Sequence, residues 1–167
     1  MEGLFKIDKI DRKGLGWIAL RDIKAGTLIC KEKSPFVTIF PNARVPWESA
    51  PPISFSYFMS TLMDAFLAMS ENDQKEFLEL NNAYLDLNSF PHDEKKWFFD
   101  LKQQIQCQNQ YDGDLLLKII CIHRRNKFED HIGFKTSRIN HSCCGNSYVY
   151  VNKMTCEMET RATSKIR

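Results

Sequence analysis

Short apolar stretches, loosely alternating with polar positions and divided by polar or glycine turns, run through residues 4–40 and again through 147–162. Between 53 and 121 they switch to helical spacing. Leu4 to Ile10 sets Leu4, Phe5, Ile7 and Ile10 against Lys6, Asp8 and Lys9, which predicts a short strand. Arg12-Lys13-Gly14-Leu15-Gly16-Trp17 reads as a Gly-x-Gly turn, and Trp17 to Leu20 as a second strand. Arg21 to Gly26 is a polar turn closed by glycine. Thr27 to Lys31 and Phe36 to Phe40 are the third and fourth strands. Short strands separated by glycine turns predict a compact β-meander.

Pro41, Pro46, Pro51 and Pro52 then mark a boundary. From Ile53 to Met69 the residues Phe55, Phe58, Met59, Leu62, Met63, Phe66 and Leu67 fall on one helical face. Ser70-Glu71-Asn72-Asp73 caps a second helix with Phe77, Leu78 and Leu80 inward. Pro91 suits the first turn of a third helix running towards Cys107, with Trp97, Phe98, Leu101 and Ile105 inward. Asp112-Gly113-Asp114 starts a fourth, through Leu116, Leu117, Ile120 and Cys121. Ser147 to Val151 returns to strand alternation. Asn152-Lys153 offers a turn, and Cys156 to Ala162 is the return strand. Strands, helices and strands in that order define an α+β chain rather than alternating βαβ units. The expected division is residues 1–50 (first strands), 51–125 (helical insert) and 126–167 (last strands).

Composition narrows the function classes. At 167 residues, with 43% hydrophobic and 26% charged residues, the chain suits one ordinary globular domain. A net charge of +2 argues against a general polyanion binder. The basic cluster His123-Arg124-Arg125-Asn126-Lys127 fits a solvated face or a helix C-terminus, so direct nucleic-acid contact is not expected. Ile53 to Met69 carries Ser54, Ser56, Ser60, Thr61 and Asp64, so no membrane span is expected. Met1 to Lys6 has no apolar core of a secretory signal. The six cysteines form no CxxC pair. The expectation is a reducing setting, nuclear or cytoplasmic, with free thiols.

Candidate chemistry concentrates in Ser137-Arg138-Ile139-Asn140-His141-Ser142-Cys143-Cys144-Gly145-Asn146. A plain loop asks for Gly, Pro, Asn or Ser, but not for an imidazole and paired thiols as well. Asn140-His141 read alone is a loop held by side-chain hydrogen bonds, and as a catalytic dyad it is poor, because no Ser or Cys nucleophile is placed next to a base with an evident acid orienter. Gly14-Leu15-Gly16 read alone is a turn, and it lacks the third glycine and following helix of a dinucleotide site. Its other reading is close approach of main chain to a ligand. Asn126 ahead of Phe128 is by itself an ordinary helix end.

Together these segments resemble a known family. Arg138-Ile139-Asn140-His141-Ser142-Cys143 with Asn146 is similar to the Asn-His-Ser-Cys-x-Pro-Asn motif of SET-domain protein methyltransferases, with Gly145 where proline is usual. Gly14 to Lys31 resembles the segment that lines the S-adenosylmethionine pocket. Asn126-Lys127-Phe128 resembles the Asn-x-Phe of members with helical inserts. Those members are the SET-and-MYND proteins and the fungal SET proteins without a MYND finger. Residues 70–82 match the latter more weakly, and no MYND finger is present.

The resemblance implies a SET-type β-clip interrupted by a helical insert. It implies methyl transfer from S-adenosylmethionine to a lysine of a histone or other protein, placing the protein in chromatin or lysine-methylation chemistry. Lys13, Gly14, Leu15, Gly16, Trp17, Asn126, Asn140 and His141 would bind the cofactor, with Cys143 as a ligand of a structural zinc. Such a transfer is an in-line displacement that depends on alignment. The attacking amine, at about 10.4 in water, must be neutral, and desolvation favours that. The family's catalytic tyrosine would lie beyond Arg167. The ending Thr163-Ser164-Lys165-Ile166-Arg167 therefore reads as a SET domain cut short and inactive alone. Two other readings stay open: a non-catalytic SET-like interaction module acting through its helices, and a thiol or zinc protein using Cys143, Cys144 and Cys156.

Overall fold

The computed structural model describes residues 3–11, 13–38, 55–80, 96, 99–100, 102–105, 111–140 and 144–166. The chain divides into two compact units, Met1–Val37 with Lys127–Arg167, and Thr38–Asn126. The first is built of strands. Strand β1 (Phe5–Ile10) pairs antiparallel with β2 (Gly14–Ala19), with Ile10 opposite Gly14 and Asp8 opposite Gly16. The connection is tight. Lys13 N donates to Ile10 O at 3.1 Å, and Gly14 takes the left-handed step at φ +73°. Gly14-Leu15-Gly16 is thus the opening of a strand and not the turn itself, because the turn is completed before Gly14.

Strand β3 (Leu28–Lys33) does not continue a meander. It pairs with β7 (Glu157–Ala162), which pairs in turn with β6 (Ser147–Asn152), in the order β3-β7-β6. Strand β4 (Phe36–Val37) pairs with β5 (His131–Ile132). Among the described residues, only β1 and β2 of the first strands form the expected local hairpin. The others find partners far along the chain, since a short strand can bury one face only by joining whichever sheet completes its core.

The three-stranded sheet has two distinct faces. Leu28 and Cys30 straddle a register shift against β7, so Ile29 and Cys30 are both buried. Thr160 and Met158 lie inward opposite Cys30 and Glu32. Outward, Lys31 meets Glu157 at 3.1 Å, and Arg161 Nη2 meets Glu159 at 2.9 Å. These pairs are wet and contribute only about 0–1 kcal/mol each. Ile23, Ile29 and Ala162 form a core with Leu4, Phe5, Trp17, Ala19 and Ile166 packed against it. Phe36, Ile132 and Met158 are fully buried, each stabilising by roughly 1.5–3 kcal/mol.

The last hairpin is turned by residues 153–156. Asn152 Oδ1 accepts from Met154 N at 3.0 Å and Thr155 N at 3.3 Å, and Cys156 sits at φ +55°. Cys156 therefore belongs to the turn, and β7 begins one residue later than expected.

The second unit is helical in its described residues. Helix α1 (Phe55–Leu67) buries Met59, Leu62, Met63 and Phe66, as its spacing requires. Helix α2 (Glu71–Leu78) is capped by Ser70, whose Oγ accepts from Asp73 N at 3.2 Å. Phe77 stands edge-on to Phe66 with centroids 5.7 Å apart. Helix α3 (Gly113–Asn126) is the fourth one expected from the sequence. Asp112 caps it by accepting from Asp114 N at 3.0 Å and Leu115 N at 3.1 Å, and Leu116, Ile119, Ile120, Cys121 and Ile122 are buried. The proline-rich boundary, the end of the fourth strand at Ile39-Phe40 and most of the expected third helix, with Trp97, Phe98 and Leu101, lie outside the described residues. Ile105 is buried. Among the described residues no helix is long and apolar enough to cross a membrane.

Candidate functional site

The site is built in the strand unit, where β2 meets the segment that follows β5. Alternation along β2 turns Leu15 outward and Gly16 inward, so Gly16 is buried while Lys13, Gly14 and Leu15 stay exposed. Trp17 is half-buried and stacks on Phe5 with ring centroids 3.9 Å apart. Its indole Nε1 donates to Lys135 O at 2.8 Å, tying β2 to the opposing segment.

That segment is shaped by a single 3-10 turn, Thr136–Arg138, closed by Ile139 N donating to Thr136 O at 3.0 Å. Ile139 is extended, with ψ 119°, and delivers Asn140 towards β2. A Cβ built on Gly16 would collide with Asn140 Nδ2, and would fall 2.6 Å from Ile10 Cδ1 and 3.2 Å from Asn140 Cγ. The absent side chain of Gly16 is thus the space that the Asn140 amide uses. Two segments that are 124 positions apart in number are brought into contact here (140 minus 16).

The Asn140 amide is also electrically incomplete. Its Nδ2 is buried and has no hydrogen-bond partner among the described residues. A buried donor left unmade costs about 1–3 kcal/mol, so this N–H group is poised to gain from an acceptor such as a carboxylate or carbonyl oxygen.

A carboxylate supports the same segment from β3. Glu32 Oε2 accepts from Lys135 N at 3.0 Å, and its Oε1 accepts from Thr136 N and Thr136 Oγ1, both at 2.5 Å. Nothing in the sequence reading singled out Glu32 or Thr136. A signal was present: period-two alternation puts Glu32 on the same inward face as Cys30 and Ser34, where a charge needs partners.

The remaining expected residues are placed as follows. Asn126 ends α3 in the helical unit; it is buried, and its Nδ2 donates to Ile122 O at 2.7 Å within its own helix. His141 and Cys143 lie outside the described residues. Cys144 is exposed and Cys156 half-buried, both as free thiols. Among the described residues no group of three or more His, Cys, Asp or Glu could hold a metal ion.

These features define a β-clip whose glycine strand and asparagine segment close on one another. The family model for the SET domain matches residues 14–167, and the chain belongs to that family. Among solved structures, it is similar to the SET domain of LSMT bound to lysine and AdoHcy, at 15% sequence identity and a TM-score of 0.49. That match covers 99% of this chain and 47% of the other, so the chain spans about half its length. No curated protein matches.

Proposed function

We propose that the chain carries the S-adenosylmethionine-binding part of a protein-lysine N-methyltransferase. The observation that supports this reading is the seating of the Asn140 amide over Gly16, which joins the two segments most characteristic of the family. The residues fit the cofactor's chemistry. The Asn140 N–H group, unpartnered among the described residues, suits an amino-acid carboxylate, and the exposed start of β2 at Gly14 offers main-chain groups without bulk. When bound, S-adenosylmethionine would supply an activated methyl group. The chain's own residues would hold it in line for a neutral lysine amine of a histone or another protein. The helical unit is read as the insert of the branch similar to the SET-and-MYND proteins, and the nucleus or cytoplasm as its setting.

The test is calorimetric titration of S-adenosylmethionine into the chain and into Asn140→Ala. Saturable binding that the substitution weakens by about tenfold or more supports the reading, tenfold being 1.4 kcal/mol. Equal affinity in both proteins, or none in the unaltered chain, counts against it. Transfer of labelled methyl groups to lysine in a mixed histone substrate by this chain would overturn both the expectation that it is inactive alone and the reading as a non-catalytic module.

A further inference from the structure

We propose that Glu32 is a positioning residue for Asn140, acting through the 3-10 turn at Thr136. The inference rests on the cofactor reading above and deepens it. Glu32 lies on β3, and its carboxylate is aimed at the start of the turn rather than at a lysine or arginine. Three donors converge on it: Lys135 N at 3.0 Å, Thr136 N at 2.5 Å and Thr136 Oγ1 at 2.5 Å. Two of these are backbone N–H groups at the beginning of the turn, which no carbonyl within it can satisfy. A carboxylate is the strongest acceptor available for them.

The surroundings are cut to admit this carboxylate. A Cβ on Gly133 would fall 2.5 Å from Glu32 Oε1, 2.7 Å from Glu32 Cδ and 2.8 Å from Met158 Sδ. A side chain there would have to push aside the ends of Glu32 and Met158. Ser137 N donates back to Gly133 O at 2.9 Å, so the residue that makes way for Glu32 also closes the turn. On the other side, Trp17 Nε1 holds Lys135 O at 2.8 Å. Lys135 and Thr136 are therefore gripped from β2 and β3 at once. From there the chain has one short turn and one extended residue before Asn140, so the placement of the amide over Gly16 follows from where the turn is anchored.

This arrangement gives opposite expectations for two substitutions at one position. Thr136 is fully buried. Thr136→Val keeps its volume and removes the hydroxyl donor, whereas Thr136→Ser keeps the donor and loses a methyl group. A packing role alone makes Ser the damaging change; positioning makes Val the damaging one for cofactor binding. Glu32→Gln keeps the shape and replaces one acceptor oxygen by a donor that opposes Lys135 N or Thr136 N.

The experiment uses the chain with two readouts: calorimetric affinity for S-adenosylmethionine, and the side-chain amide signals of Asn140 in a nitrogen–proton spectrum, assigned by their loss in Asn140→Asp. The expected result is displaced Asn140 signals in Glu32→Gln and Thr136→Val. Affinity should fall about ten- to a hundredfold, the range for a lost hydrogen bond to a charged group. Thr136→Ser should keep both near those of the unaltered chain despite a lower melting temperature. Unmoved Asn140 signals in Glu32→Gln and Thr136→Val overturn the proposal. If the unaltered chain binds no S-adenosylmethionine, the functional reading fails. The amide signals, which need no cofactor, then still decide the role of Glu32.

Discussion

The side-chain amide of Asn140 occupies the volume that a Cβ on Gly16 would need, and its Nδ2 is buried there with no acceptor among the described residues. A glycine and an asparagine that look unrelated in the sequence are therefore one feature. The glycine makes the space, and the asparagine brings a donor into it.

Gly16→Ala should consequently act through Asn140 and not through backbone strain, since Gly16 does not take a positive φ. The added methyl group must displace the amide. The expected cost is about 1–3 kcal/mol of stability, the usual range for overpacking. Gly14→Ala meets nothing within 4 Å but is strained at φ +73°, with an expected cost of about 1–2 kcal/mol. Urea unfolding of the two variants measures the costs. The Asn140 side-chain amide signals should move in Gly16→Ala and not in Gly14→Ala.

Asn140→Ala should separate stability from binding. Removing an unpartnered buried amide relieves a desolvation cost, so the free protein should melt within a few degrees of the unaltered chain or above it. The rise in melting temperature produced by S-adenosylmethionine should shrink, because that rise depends on ligand concentration relative to Kd. Thermal melts with and without cofactor check both halves.

His131 should make the fold acid-sensitive. Its ring is buried and neither nitrogen has a partner among the described residues, and burial holds its pKa below the ordinary 6.5. Asp130 and Glu129 pull it upward and Lys153 pushes it down, but desolvation is the largest influence. A depressed histidine binds its proton more readily when unfolded. Its contribution is thus complete above about pH 6.5 and is lost as pH falls through the folded value. The urea midpoint should fall between pH 7 and pH 5, and His131→Leu should flatten that slope.

The thiols should divide by burial. Cys30 and Cys121 are buried, and desolvation raises them to about 11 and about 12 respectively. Both should resist alkylation at pH 8 in the folded protein, because the thiolate is the reactive form. Among the described thiols Cys144, which is exposed, should react first. Mass mapping after brief iodoacetamide treatment, with and without urea, measures the order.

The helices were legible because their information is local. Ser70 and Asp112 cap α2 and α3, and the apolar spacing of Met59, Leu62, Met63 and Phe66 marks the buried face of α1. The strands were legible as segments, and the α+β class followed from their order. Their pairing was not legible. Thr27 to Lys31 resembles any half-buried strand, and nothing within it specifies that β7 rather than β2 completes its sheet. The same limit hid the start of β2, where the turn ended before the Gly-x-Gly began.

The residues that define the site divide in the same way. Residue identity and order were enough to pick out the distinctive chemistry, Gly14 and Gly16 in one segment and Asn140 in another, within a chain of the SET family. It took the folded arrangement to reveal that Gly16 makes room for Asn140, that Trp17 and Glu32 grip Lys135 and Thr136, and that a side chain at Gly133 would crowd Glu32 and Met158. The difference is one of range. Caps and periodicity act within a few residues, whereas a steric vacancy or a carboxylate acceptor has meaning only once packing has chosen its neighbour.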